Sequence, residues 1–108
     1  QGMWGGYLSD DEEELKYTME TLHKRNVLPA LSCGMHPGIV TATTEKFGTN
    51  FLANCGGAVH GHPNGTLAGA LAMRQAIDKK PGEEFRIAID KWGYKTNNGS
   101  LPEWVLEF

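Results

Sequence analysis

Two stretches of this chain share one plan, and nothing else in the sequence constrains the fold as much. From Val27 it reads V-L-P-A-L-S-C-G-M-H-P-G, and from Asn50 it reads N-F-L-A-N-C-G-G-A-V-H-G-H-P-N-G. In each, a short apolar run ends in small residues and glycine, and a His-Pro pair and a helix-like pattern follow. A strand that stops in glycines ahead of a helix leaves bare backbone N–H groups at the positive end of that helix, an arrangement that suits phosphate. Two such cradles side by side suit a ligand with phosphate at both ends, or one phosphate gripped from two loops.

The rest of the chain is read around these modules. Residues Gln1 to Leu8 mix glycine with Met3, Trp4 and Tyr7 and show no period, so a loop or anchor is expected there. Ser9 followed by Glu12 is a capping-box pattern, and Asp10 to Glu14 load the first turn of a helix with negative charge. Leu15, Met19 and Leu22 give that helix one apolar stripe, and Asn26 can end it. Val27 to Ser32 reads as a buried parallel strand, with Pro29 a blemish because proline donates nothing to the ladder. Pro37 opens a helix whose inner face carries Ile39, Val40 and Phe47 and which stops at Gly48. Thr49 to Cys55 is the second strand, and Gly56 to Gly65 a glycine-rich loop. Thr66 opens a helix with Leu67, Leu71 and Ile77 expected inward, and with Gly69 and small alanines where something packs closely. Lys79 to Gly82 breaks it, Glu83 to Trp92 is a further helix, and Gly93 ends that one. A polar tail closes on Trp104, Val105, Leu106 and Phe108.

Strands that alternate with helices at this spacing mean parallel βαβ units. Only two strands are legible, and a two-stranded parallel sheet leaves both edges open and encloses no core. The 108 residues amount to one domain at most. The Gln1 start adds to the expectation of a processed or partial chain. A net charge of −3 gives no electrostatic footprint for nucleic acid or an anionic membrane. The apolar runs are too short to span a bilayer and no signal peptide is legible, so a cytoplasmic location is expected.

Glycine loops at the C-terminal ends of βα strands are the working face of a TIM barrel, where phosphate binds after the last two strands. The residues themselves narrow this further. L-P-A-L-S-C-G-M-H-P-G closely resembles the L-P-x-x-S-G-G-x-H-P-G stretch at the seventh strand of ribulose-1,5-bisphosphate carboxylase/oxygenase (RuBisCO) large subunits. C-G-G-A-V-H-G-H-P-N-G-T, with the R-Q-A-I-D that follows, resembles the eighth strand, its loop and its helix. The H-G-H-P-x-G-T form and the D-K-W-G string look most like the archaeal-type enzymes, form III or II/III, and RuBisCO-like enolases of methionine salvage carry related strings. The likeness covers roughly residues 27 to 93.

The resemblance implies an α/β fold made of the last two βα units of a (β/α)8 barrel, strands 7 and 8, plus C-terminal helices. Residues 1–93 would be the barrel segment and 94–108 the tail. It implies a lyase that fixes carbon dioxide on ribulose 1,5-bisphosphate, completed by the remainder of the barrel and a second subunit in a homo-oligomer. It assigns Ser32, Gly34, Gly56 and Gly57 to the substrate and its phosphate, and glycines there agree with close backbone approach. Cys33 departs from the family's S-G-G, and Ala58 from a common third glycine. The resemblance also implies Mg2+ held by a carbamylated lysine with neighbouring carboxylates, but no K-x-D-E string occurs here. The segment is therefore expected to carry no catalytic residue and no metal ligand, and to be inactive by itself. A RuBisCO-like enolase or isomerase of a phosphorylated sugar, and a non-catalytic phosphate-binding fragment, are the alternatives.

Other constellations are weaker. His36, His60 and His62 with Cys33 and Cys55 do not fall into a tetrahedral metal spacing, and His36 and His62, each ahead of a proline, are expected to orient loops by hydrogen bonding. Cys33 and Cys55 could approach one another across adjacent strands, with reduced packing thiols the expectation in a cytosolic chain. The Gly56–Gly65 run lacks the G-K-[ST] of a nucleotide-binding loop.

Overall fold

The structure is a computed structural model and describes residues 12–32 and 34–106. Its elements run α1 (Glu12–Lys24), β1 (Ala30–Leu31), α2 (Val40–Phe47), β2 (Leu52–Ala53), α3 (Gly56–His60), α4 (Thr66–Asp78), α5 (Glu83–Trp92) and α6 (Glu103–Leu106). The expected Ser9 cap, Cys33 and Phe108 lie outside the described residues.

β1 and β2 pair in parallel, Ala30 against Leu52 and Leu31 against Ala53. The strands are shorter than the expected Val27–Ser32 and Thr49–Cys55. The carbonyls of Pro29 and Leu31 accept from the N–H groups of Leu52 and Asn54, which carries the ladder one step beyond the strands. Extended one step back, the same register would have the residue 29 N–H donate to the Asn50 carbonyl. Proline has no such group, and His23 Nε2 bonds that carbonyl instead at 2.7 Å. The proline thus ends the pairing, and a helix side chain fills the place it leaves.

Helix ends follow their local chemistry. α1 closes at Asn26 and α4 at Lys79, both with left-handed backbone, and the N–H groups of Val27 and Lys80 reach back to the carbonyls of Leu22 and Gln75. Gly48 and Gly93, with φ of +82° and +84°, end α2 and α5. Pro37 lies in a turn, and α2 begins three residues later, at Val40. The N-terminus of α5 is satisfied from another helix. Gln75 Oε1 accepts from the N–H groups of Gly82 and Phe85, and Gln75 Nε2 donates to Glu84.

The core joins Leu15 and Met19 of α1 to Leu31, Met35, Ile39, Val40, Met73, Phe85 and Val105. Tyr94 and Trp104 pack on Phe85 with ring centroids 6.4 and 5.3 Å away, which fastens residues 94–106 to α5. Two expectations are corrected here. The Gly56–Gly65 loop contains α3, closed by bonds from Val59 N–H to the Cys55 carbonyl and from Gly61 N–H to the Gly57 carbonyl. In α4 the inward face is Gly69, Ala72, Met73 and Ala76, while Leu67, Leu71 and Ile77 are exposed. The cause is close approach: a Cβ at Gly69 would collide with the Val59 carbonyl of α3, so small residues must face the interface and the large ones turn outward.

Candidate functional site

The parallel pairing brings the two glycine loops to one end of the sheet. Gly34 follows β1 at a φ of +128°, a left-handed conformation that a side chain would strain. Gly57 lies in the first turn of α3, directly after β2. Both line one cleft of about 220 Å3, together with His36, Asn54, Cys55 and Trp92. Gly56 stands exposed beside Gly57, and half-buried Ser32 sits two residues ahead of Gly34. Neither is a wall of the cleft, so two of the four expected ligand residues meet there and two flank it.

Among the described residues, packing gives no reason for glycine at Gly56 or Gly57. Neither has positive φ, and a Cβ on either would meet nothing within 4 Å. By contrast, Gly38 and Gly69 are pressed against carbonyl oxygens that leave no room for a side chain. Hydrogen bonding inside α3 begins with the Val59 N–H, so the amides of Gly56, Gly57 and Ala58 are not used by the helix itself.

Both His-Pro pairs are built the same way. His36 Nδ1 accepts from the Gly38 N–H and His62 Nδ1 from the Asn64 N–H, each at 3.0 Å, spanning a proline that has no N–H to offer. His62 Nε2 then donates to the Glu84 carbonyl at 2.9 Å, which fixes its tautomer and ties the loop after α3 to α5. Burial holds His36 below the ordinary histidine range, consistent with an unprotonated acceptor. His60 instead meets the Thr66 hydroxyl, and Cys55 is a free thiol. The loop-orienting role expected of His36 and His62 is what the geometry shows. Among the described residues, no group of three or more His, Cys, Asp or Glu side chains is placed to hold a metal ion, so the residues described do not supply an Mg2+ site. No described helix is long and apolar enough to cross a membrane.

A second cleft, of about 260 Å3, lies between α2 and the segment after α5. Its walls include Thr41, Glu45, Tyr94 and Asn97, and none of the glycine-loop residues reaches it. Burial pushes the pKa of the Tyr94 hydroxyl up, against a smaller opposing effect of the neighbouring Thr41 hydroxyl.

Residues 5–89 match the family model for the ribulose bisphosphate carboxylase large chain, catalytic domain. The chain belongs to this family. Within the RuBisCO family it is similar to proteins of two names. It is 44% identical over 80 residues to a 2,3-diketo-5-methylthiopentyl-1-phosphate enolase of Exiguobacterium sibiricum, covering 64% of the chain and 20% of that protein. It is 38% identical over 105 residues to a ribulose bisphosphate carboxylase of Pyrococcus furiosus, covering 82% and 25%. The octameric RuBisCO of Pyrococcus horikoshii superposes with a TM-score of 0.74 at 32% identity, over 85% of this chain and 26% of that one. The chain therefore spans about a fifth to a quarter of the length of the relatives it matches.

Of the walls of this cleft, sequence reasoning singled out Gly34, Gly57, His36 and Cys55 and passed over Asn54 and Trp92. Asn54 had a legible signal, since it is the residue between the second strand and its glycines. Trp92 had none: it closes the cleft from a helix end 35 residues beyond Gly57, a distance that only the packing of α5 bridges.

Proposed function

We propose that this chain is the C-terminal part of a RuBisCO-type barrel, with β1 and β2 as its strands seven and eight, and that it holds a phosphate of a phosphorylated sugar. Residues 1–93 are the barrel segment and 94–108 the tail. Ser32, Gly34, Gly56 and Gly57 supply the phosphate contacts, chiefly through backbone N–H groups. The observation that carries this reading is the pair of unforced glycines, Gly56 and Gly57, standing where parallel strands deliver two loops to one cleft. Glycine that packing does not require is explained by something outside the chain coming close to the backbone. Amide bonds to a charged acceptor contribute roughly 1.5–3 kcal/mol each, so two or three of them give a useful grip and no chemistry.

Proton transfer, Mg2+ and carbon dioxide chemistry belong to the remainder of the barrel and to a second subunit, in a cytoplasmic oligomer. The substrate is ribulose 1,5-bisphosphate, and the overall reaction is carboxylation. Enolisation of a diketo phosphate in methionine salvage is the second reading, favoured by the 44% identity to the Exiguobacterium enolase. The grip proposed here serves either substrate. Gly57→Ala in the complete protein should weaken binding of the phosphorylated substrate at least tenfold, about 1.4 kcal/mol, with Tm nearly unchanged because the added Cβ meets no described atom within 4 Å. Unchanged affinity sinks the cradle. Assaying the complete protein with each substrate in turn decides between carboxylase and enolase.

A further inference from the structure

The C-terminal end of α5 touches both glycine loops at once. Trp92 stacks on His36 of the first loop, with ring centroids 5.9 Å apart and planes 25° from parallel. The same indole reaches the second loop, where a Cβ built on Gly61 would stand 3.6 Å from its Cζ2. Lys91 Nζ donates to the Gly61 carbonyl at 2.6 Å and lies 5.0 Å from the centroid of the Trp92 ring. On the first loop, the Lys95 N–H donates to the Gly38 carbonyl at 2.8 Å. Gly38 itself sits so close to the Gly93 carbonyl that a side chain there would collide.

β1 and β2 pair over only two residues each, too little to fix how far apart their loops stand. The end of α5 is braced on both. Trp92 lies outside the hydrophobic core, half-buried, and its ring is a wall of the cleft. We propose that Trp92 is a positioning residue: as a rigid plate between the His36 turn and Gly61, it sets the separation of the Gly34 and Gly57 loops and hence the width of the phosphate cleft. Lys91 ties this end of α5 to Gly61, and the Lys95 N–H ties the residues just after it to Gly38. The inference rests on the phosphate reading above and adds a residue that contacts no phosphate itself.

The test titrates inorganic phosphate into the complete protein by calorimetry, for the wild type, Trp92→Leu and Trp92→Phe, with Tm measured for each. Small displacements of binding groups carry large penalties, so Trp92→Leu should weaken phosphate about tenfold. Trp92→Phe keeps a ring on His36 but gives up the reach to Gly61, and should weaken it about threefold. Tm of the Phe variant should stay within about 4 °C of the wild type. Wild-type affinity in both folded variants overturns the inference, whatever happens to Tm. Should Trp92→Leu fail to fold, the Phe variant decides alone, and unchanged affinity there overturns it too. Absence of saturable phosphate binding in the wild type overturns the phosphate reading and this inference with it. Wild-type binding that neither variant disturbs overturns this inference only.

Discussion

His36 does with a ring nitrogen what an Asx turn does with a side-chain oxygen: it accepts the N–H two residues on, at Gly38. The bond needs an unprotonated Nδ1, and burial holds the folded ring below its ordinary value near 6.5. On acidification the unfolded chain therefore takes up a proton at pH values where the folded chain has not. His36's share of stability is complete above about pH 6.5 and is lost as pH falls from there through the folded value. His36→Asn keeps an acceptor for Gly38 and removes the titration. The Tm of the variant should fall less than that of the wild type between about pH 7 and pH 5; parallel Tm–pH curves would refute the assignment. At this scale much was legible. His-Pro spacing announces a turn, and G-G after an apolar run announces open backbone. Gly69 was legible as a point of close packing, but its partner, the Val59 carbonyl of α3, was not, because that approach exists only once the chain is folded.

The elements whose ends are set locally were readable, and those set by neighbours were not. α5 runs Glu83–Trp92, as the Lys79–Gly82 breaker and Gly93 indicate. α3 was hidden because two glycines at its start disfavour a helix, by about 1 kcal/mol each relative to alanine, and packing on α4 overrides that preference. The inward face of α4 was read in part: Gly69 and the alanines were marked for close packing, but Leu67, Leu71 and Ile77 were placed inward too because apolar size was taken as the guide. Gln75 shows most plainly how far tertiary context governs an element. Its side-chain oxygen serves two N–H groups at the start of α5, where Gly82 offers no side chain to do so. Gln75→Leu keeps the bulk but strands those donors, at a cost of about 1–2 kcal/mol. Urea unfolding of the complete protein should show the midpoint lowered with an unchanged m-value; an unchanged midpoint would mean that water caps α5 equally well.

For the molecule as a whole, the sequence indicated a sheet that could not enclose a core, and the described residues hold two strands of two residues. Helices make up the body, and the apolar surface left over has a pattern. Leu52 is exposed on β2, Val27 and Leu28 lead into β1, and Leu67 and Leu71 form an outward stripe on α4 that is 76% and 43% exposed. Leu52 leaves β2 an exposed strand, and an exposed strand templates association with other strands. The 108 residues in isolation should therefore self-associate, seen by light scattering as a mass that rises with concentration over the micromolar range. Charging the α4 stripe (Leu67→Lys with Leu71→Lys) should reduce this association without abolishing it, because the exposed β2 strand remains. Co-expression with the upstream barrel segment should abolish it in the unsubstituted chain by covering β2, and should yield activity where the segment assayed alone should yield none. A monodisperse monomer at every concentration would show that α1 to α6 already close the fold, and would remove the physical ground for reading β1 and β2 as part of a larger barrel.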